Sequence, residues 1–402
     1  MAIAIWHILK LAVLIPVLCG SVYALLCLWA LFHFRRQERS HEALKAYSQA
    51  FTAWPPVTIL KPVCGLEKHQ RENLRSACIQ DYPEFQVVFS VQDASDPALP
   101  LLYELQKEFG SERITVAVEN IQSGTNGKIN NMIGGLRHAR HDVLVISDSD
   151  VRLNPDYLKT IVAPLGKTDV GCVCTFYKAV CADVWYEKIE LLTLNADFIP
   201  NVLFANASGA SRFCLGASAA ISRSTLEEIG GFEALSDYLV EDYEMGRRVW
   251  ERGKKVAIVP YFVDTIIDLK NPSAWWNHQI YWDQNTRAAR PFAFFSTAMI
   301  RSVPFAFIFA AMQLFDPIGL AVLIGAVGLR LFASAFILGL GLRDGEGLRS
   351  LWLLPFRDLS SLATWLLAFT KRTTVWRGAS FILTRDGRLV AQNTEGELPL
   401  TN

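Results

Sequence analysis

The chain has 402 residues, 51% of them hydrophobic, with 39 basic and 39 acidic side chains and no formal net charge. That balance excludes the basic field by which proteins bind nucleic acid. A mean hydropathy of +0.22 is high for a soluble domain, and the apolar residues gather at the two ends of the chain.

Residues 11–32, LAVLIPVLCGSVYALLCLWALF, carry no charge and are long enough to cross a bilayer as a helix. The flank after them holds Arg35, Arg36 and Arg39, which places that side in the cytosol by the positive-inside tendency. The run is too long for a cleaved leader and no small-x-small site ends it, so the expectation is an uncleaved anchor over 8–34. Residues 35–56 are polar, close on Trp54-Pro55-Pro56, and read as a linker or interfacial segment. The eight cysteines form no C-x-x-C pair and predict reduced thiols rather than a disulfide framework or zinc site.

A globular block follows, 57–290. Short β-rich or apolar runs at 57–60, 85–93, 114–119 and 142–150 alternate with helical patterns at 71–79, 99–109 and 129–139. This alternation predicts an α/β, Rossmann-like domain with a mostly parallel sheet. Ligands of such sheets bind beyond the carboxyl ends of the strands, where two of these runs end in aspartate. Residues 291–370 form a second apolar region of two or three helices. Within it 303–342 is nearly uncharged, broken by Asp316-Pro317 and Arg330. Two helices joined near Asp316, or one span with a re-entrant piece, both satisfy it. Residues 351–369 either span or lie in the interface, because Arg357 and Asp358 interrupt them. A polar tail occupies 371–402.

Five stretches could carry chemistry. Gln92-Asp93 ends one strand; a turn cap is the competing reading. Asp148-Ser149-Asp150 ends another. Residues i and i+2 of an extended segment face one way, so both carboxylates can address one Mn2+ or Mg2+ ion carrying a diphosphate. The loop before the 129–139 helix, GTNGKINN, offers Lys128 and Asn130 to an anion at a helix N-terminus, though it is not a Walker loop. In VEDYEMGRRV, Glu241, Asp242 and Glu244 crowd four positions; a solvated helix start is the plain alternative to a proton acceptor. Finally WWNHQIYW, 275–282, contains His278, Gln279, Tyr281 and Trp282; an aromatic membrane belt competes with an acceptor platform.

As a series, the stretches LKPVCGLE (60–67), SVQDASDPA (90–98), GKINN (127–131), SDSDV (147–151), GGFEAL (230–235) and EDYEMG (241–246), set between apolar ends, resemble the ceramide glucosyltransferase family. These are inverting, membrane-bound glycosyltransferases of the GT-A fold. The resemblance implies that Asp93 faces the nucleotide, Lys128 and Asn130 contact the nucleotide sugar, and Asp148 with Asp150 holds the metal and diphosphate. It makes Asp242 the general base. The family's closing (Q/R)xxRW becomes His278-Gln279-Ile280-Tyr281-Trp282 here, with Trp kept and two positions changed; Glu241 and this segment would face the acceptor. The implied reaction joins a UDP-sugar to a lipid, glucose to ceramide first, at a Golgi or bacterial inner membrane. A hopanoid N-acetylglucosaminyltransferase and an inactive membrane scaffold are the alternatives.

Overall fold

The computed structural model describes residues 1–39, 53–370, 373–376, 379–384 and 387–391. Most of the expected linker (40–52) and the end of the tail (392–402) lie outside the described residues.

The sheet begins with Val57–Pro62 (β1) and Phe85–Val91 (β2), buried along their whole length. Strands with no polar face need cover on both sides, which parallel pairing with crossing helices supplies. Accordingly β1 pairs in parallel with β2, which pairs in parallel with Ile114–Val118 (β3). On its other side β1 pairs with Val143–Ser147 (β4), Val57 opposite Val143. Helices Gln70–Cys78, Leu99–Phe109 and Gly127–Leu136 make the crossings. Val151–Arg152 (β5), Val170–Val180 (β6), Ser218–Ser222 (β7) and Lys255–Ile266 (β8) complete eight strands in the order β3-β2-β1-β4-β7-β6-β8-β5. This is the GT-A-like architecture expected: a parallel Rossmann-like half joined to a mixed half. Because β7 runs antiparallel to β4, with Ser147 opposite Ser218, the segment entering β7 lies at the carboxyl end of β4. That crossing of directions builds the site.

The N-terminal helix α1, Ala2–Arg39, has two parts. Its first half exposes Ile8, Leu11, Ile15, Leu18 and Val22. Its second half buries Cys27, Leu28, Ala30, Leu31 and Phe34 in the main core. The Phe34 ring meets Phe176 at 5.2 Å and Phe262 at 5.5 Å, both edge-on. Two helices, Ile3–Glu38 and Pro317–Leu342, are long and apolar enough to cross a membrane; the pair Pro291–Ile300 and Ser302–Met312, bent by 52°, makes up to three if it is one span. Asp316 caps the Pro317–Phe336 helix, accepting the Gly319 amide at 2.7 Å, where the sequence placed the join. The charges that interrupt the last helix, Leu354–Thr370, are buried rather than wet. Arg357 reaches Asp197 at 2.7 Å, and Asp358 meets Arg330 at 2.9 Å.

Part of the tail is ordered into an antiparallel sheet of Thr373–Trp376 (β9), Ala379–Leu383 (β10) and Leu389–Ala391 (β11). All eight cysteines are free thiols.

Since α1 enters the core, Phe34→Ala is expected to destabilise the globular domain by about 3–5 kcal/mol, the range for a buried Phe. Thermal unfolding in detergent checks this, with lipid-facing Ile8→Ala expected to leave the midpoint unchanged.

Candidate active site

β4 stops at Ser147, so Asp148 and Asp150 are not successive same-face residues of a strand. They occupy a turn closed by Val151 N donating to Asp148 O at 3.1 Å. The turn is held from beneath by Lys61, whose side chain is wholly buried under β1. Its ammonium donates to Ser147 Oγ at 3.1 Å, Asp148 O at 2.6 Å and Val151 O at 3.0 Å. Burial pushes the Lys61 pKa down to about 8, against the pull of Asp150 and Asp148. From one side Glu67, in the loop after β1, accepts Ser149 Oγ at 2.9 Å. The Asp150 carboxyl is pushed up to about 7 by burial, then by Asp148 and Glu67.

Asn126 caps the Gly127–Leu136 helix, accepting Lys128 N at 3.0 Å and Ile129 N at 3.2 Å. That fixes Lys128 in the first turn, aimed at the carboxylates. Lys128 Nζ lies 2.7 Å from Asp148 Oδ1 and 3.0 Å from Glu241 Oε1. Burial alone would lower its pKa, but Asp148 and Glu241 hold it well above the usual lysine range. The ammonium is therefore a permanent cation here.

The helix Glu241–Glu251 divides its three acids among different tasks. Glu244 faces inward and takes Arg247 at 2.7 Å and Arg248 at 2.8 Å, an internal brace. Glu241 pairs with Lys128. Asp242 makes no ion pair among the described residues; its Oδ1 accepts only a local bond from Tyr243 N at 2.8 Å. Burial and the adjacent Glu241 push its carboxyl up to about 7, with Lys128 opposing. Room for it comes from Gly216, just before β7, where a Cβ would lie 2.7 Å from Asp242 Oδ2. Gly246 lets the same helix touch the chain before β7: a Cβ there would lie 2.3 Å from Cys214 N.

The aromatic segment lies on the helix Pro272–Ala289. His278 Nδ1 and Gln279 Nε2 share the Glu190 carboxylate at 2.9 and 2.5 Å. Trp282 Nε1 donates to His278 Nε2 at 3.2 Å, which orients the ring. The imidazole stacks on Tyr281, centroids 6.2 Å apart. Burial and the charge of Glu241 push the Tyr281 phenol up to about 12.

Thus Lys128, Asp148, Asp150, Glu241 and Asp242 come together, with Tyr281 and His278 alongside. Two expected contacts stand apart. Asp93 is exposed and spends Oδ1 on Ser95, at 2.8 Å to its amide and 2.7 Å to its hydroxyl. Asn130 folds the preceding loop, accepting Ser123 N and Gly124 N at 3.1 Å and donating to Gly124 O at 2.8 Å. Sequence reasoning missed Lys61, Glu190 and Tyr177. Tyr177, at the end of β6, is buried within the field of Asp242, Asp148 and Asp150; burial first, then those charges, drive its pKa up. A lysine inside the apolar run VTILKP was the one available signal, for Lys61.

Among the described residues no group of three or more His, Cys, Asp or Glu is arranged to hold an ion. Two crowded carboxylates, one of them half-buried with a raised pKa, still suit a hard divalent ion that takes few protein oxygens and completes its shell elsewhere.

Comparison with known proteins follows this geometry. A family model described as Glycosyl transferase family 21 matches residues 12–389, nearly the whole chain. The chain belongs to that family. Among curated relatives, Ceramide glucosyltransferase 1 of Caenorhabditis elegans is 28% identical over 206 residues, covering 51% of this chain and 44% of the relative. Ceramide glucosyltransferase of Candida albicans is 29% identical over 153 residues, covering 34% and 28%. The matched stretches thus span less than half of these relatives. Among solved structures, the mannosyltransferase PcManGT of Pyrobaculum calidifontis, in complex with GDP-Man and Mn2+, covers 88% of this chain and 98% of its own, at 18% identity and a TM-score of 0.48.

A carboxyl whose pKa rises from 3.8 unfolded to about 7 folded keeps its proton in the native state after the unfolded chain has lost it. Stability therefore falls as pH rises between those values and stays lower above them. For this family 21 chain, Asp242→Asn is expected to raise the unfolding midpoint more at about pH 8 than at about pH 5. Thermal scans at both pH values check it; an equal or reversed difference contradicts the crowded carboxylate with a raised pKa.

Proposed function

We propose that this chain transfers glucose from UDP-glucose to the primary hydroxyl of ceramide with inversion, giving a β-linked glucosylceramide. The observation that carries the reading is Asp242: a half-buried carboxylate without an ion-pair partner among the described residues, poised near neutrality, beside a fixed ammonium and the Asp148–Asp150 turn. A general base works best with a pKa near the working pH, whereas an acid kept only for structure would be paired as Glu244 is.

In this mechanism the acceptor hydroxyl gives its proton to the Asp242 carboxylate as its oxygen bonds to the anomeric carbon. The bond from that carbon to the diphosphate breaks on the opposite face, and UDP leaves. Asp148 and Asp150 would hold Mn2+ or Mg2+, which when bound offsets charge on the diphosphate. Lys128 fixes Asp148 and Glu241 and adds a positive charge beside the leaving group. Asp93, at the carboxyl end of β2, is assigned to the nucleotide and Asn130 to the shape of the sugar loop. Glu241, His278, Gln279, Tyr281 and Trp282 form the acceptor side. Arg35 and Arg36 at the end of α1 set the globular domain on the cytosolic face of a membrane.

The test is a transfer assay on the detergent-solubilised chain with Mn2+ or Mg2+. UDP-glucose, UDP-galactose and UDP-N-acetylglucosamine are crossed with ceramide and a hopanoid polyol. Glucosylceramide is the expected product, with loss of about 10²–10⁴-fold in Asp242→Asn, the usual span for a general base. Product from the hopanoid polyol alone would move the substrate; an unimpaired Asp242→Asn would remove the base. Gly216→Ala, which pushes on the same carboxylate, is expected to lower kcat by about 10²-fold, as small misplacements do, while UDP affinity measured by titration stays unchanged.

A further inference from the structure

Between the globular domain and the apolar helices lies a cavity of about 170 Å³. Gly20 and Ala24 of α1 and Ala333 of the Pro317–Phe336 helix form its membrane-side wall. The opposite wall is the aromatic helix, through Gln279, Trp282 and Asp283. Glu190, which orients His278, lines the same space.

Its charges are unevenly used. Arg330 and Arg357 are consumed by Asp197 and Asp358, in four contacts of 2.7–3.2 Å. The third arginine is different. Arg301, at the bend between Pro291–Ile300 and Ser302–Met312, has a side chain 14% exposed and stands 3.9 Å from Asp283, too far for a hydrogen bond. One terminal nitrogen donates to Ser361 Oγ. Its Nε is buried with no hydrogen-bond partner among the described residues, a donor that natural structures seldom leave unmet. The cavity thus offers one unmet donor, Arg301 Nε, beside the Asp283 carboxyl, whose neighbours are Arg301 at 3.9 Å and the Thr364 hydroxyl, with no surplus positive charge.

We propose that this cavity holds the head of a neutral lipid, its carbonyl accepting from Arg301 Nε and a hydroxyl donating to Asp283. A phosphate head is disfavoured because the arginines are already neutralised by Asp197, Asp283 and Asp358. A wall made by two apolar, span-length helices favours a lipid over a water-soluble ligand. The inference rests on the reading of a lipid acceptor and gives that acceptor a docking place against the helix that carries Gln279 and Trp282.

The test uses the full chain in nanodiscs with a photoactivatable ceramide. Labelling is expected on the segments that line the cavity, at 20–27 and 297–304, competed by plain ceramide and not by phosphatidic acid. Ala24→Phe, which fills the space without touching a charge, is expected to reduce labelling about tenfold, and Asp283→Asn to raise the KM for ceramide about tenfold with the KM for UDP-glucose unchanged, each corresponding to one lost contact of about 1.4 kcal/mol. Label outside the cavity, equal competition by phosphatidic acid, or an unaffected Ala24→Phe would overturn the proposal. Transfer with label elsewhere refutes the cavity and spares the activity; cavity labelling without transfer does the reverse.

Discussion

The ammonium of Lys128 is where three distant parts of the chain meet. It sits 2.7 Å from Asp148, which follows β4, and 3.0 Å from Glu241, which opens the Glu241–Glu251 helix. It also donates to Gly216 O, ahead of β7, at 3.3 Å. Without that cation, Asp148, Glu241 and Asp242 would confront one another in a buried space, and like charges in low dielectric repel strongly. The rest of the site is built to keep this one ion in place. Asn126 caps its helix, and the Asn126 amide reaches across to Tyr238 O at 2.9 Å. The arrangement leaves Asp242 as the member of the cluster with a nearby cation but no direct bond to it.

Lys61 and Lys128 show two different uses of a buried lysine. Lys61 meets mostly oxygens of uncharged groups, so burial wins and its pKa falls. Lys128 meets two carboxylates directly, so pairing wins. One lysine shapes the turn; the other sets the charge above it.

Much of the site was legible because it hangs on local features. Apolar strands ending in acids marked Asp148 and Asp150. A polar loop before a helix marked Lys128, and an acidic helix start marked Asp242. The same local view explains Asp93, whose cap by Ser95 lies two residues on. What stayed hidden depends on registers formed between remote segments. Gly216 meets Asp242 because β7 pairs backwards against β4. Tyr177 enters the charged field because β6 runs beside β7 and β8. Glu190 joins the aromatic helix across 88 residues of chain. The geometry assumed for the two aspartates also changed, since β4 ends one residue before them. The fold itself followed from alternation of buried strands and helices, while the small tail sheet had no apolar run long enough to announce it.

That tail sheet has a consequence for how the protein matures. Leu389 N donates to Asp237 O at 2.7 Å, and Leu239 N to Gly387 O at 3.0 Å. Leu239, Phe381, Leu383 and Leu389 share a small core against Tyr281. The loop that leads into the Glu241–Glu251 helix is therefore clasped by residues translated about 150 positions later. In between come the apolar helices Ser302–Met312, Pro317–Phe336 and Leu354–Thr370. A ribosome-bound intermediate can carry every acid of the cluster and still lack the clasp that fixes them. The order of synthesis thus puts both span-length helices, Ile3–Glu38 and Pro317–Leu342, ahead of the clasp that residues 387–391 close on the Asp237–Leu239 loop.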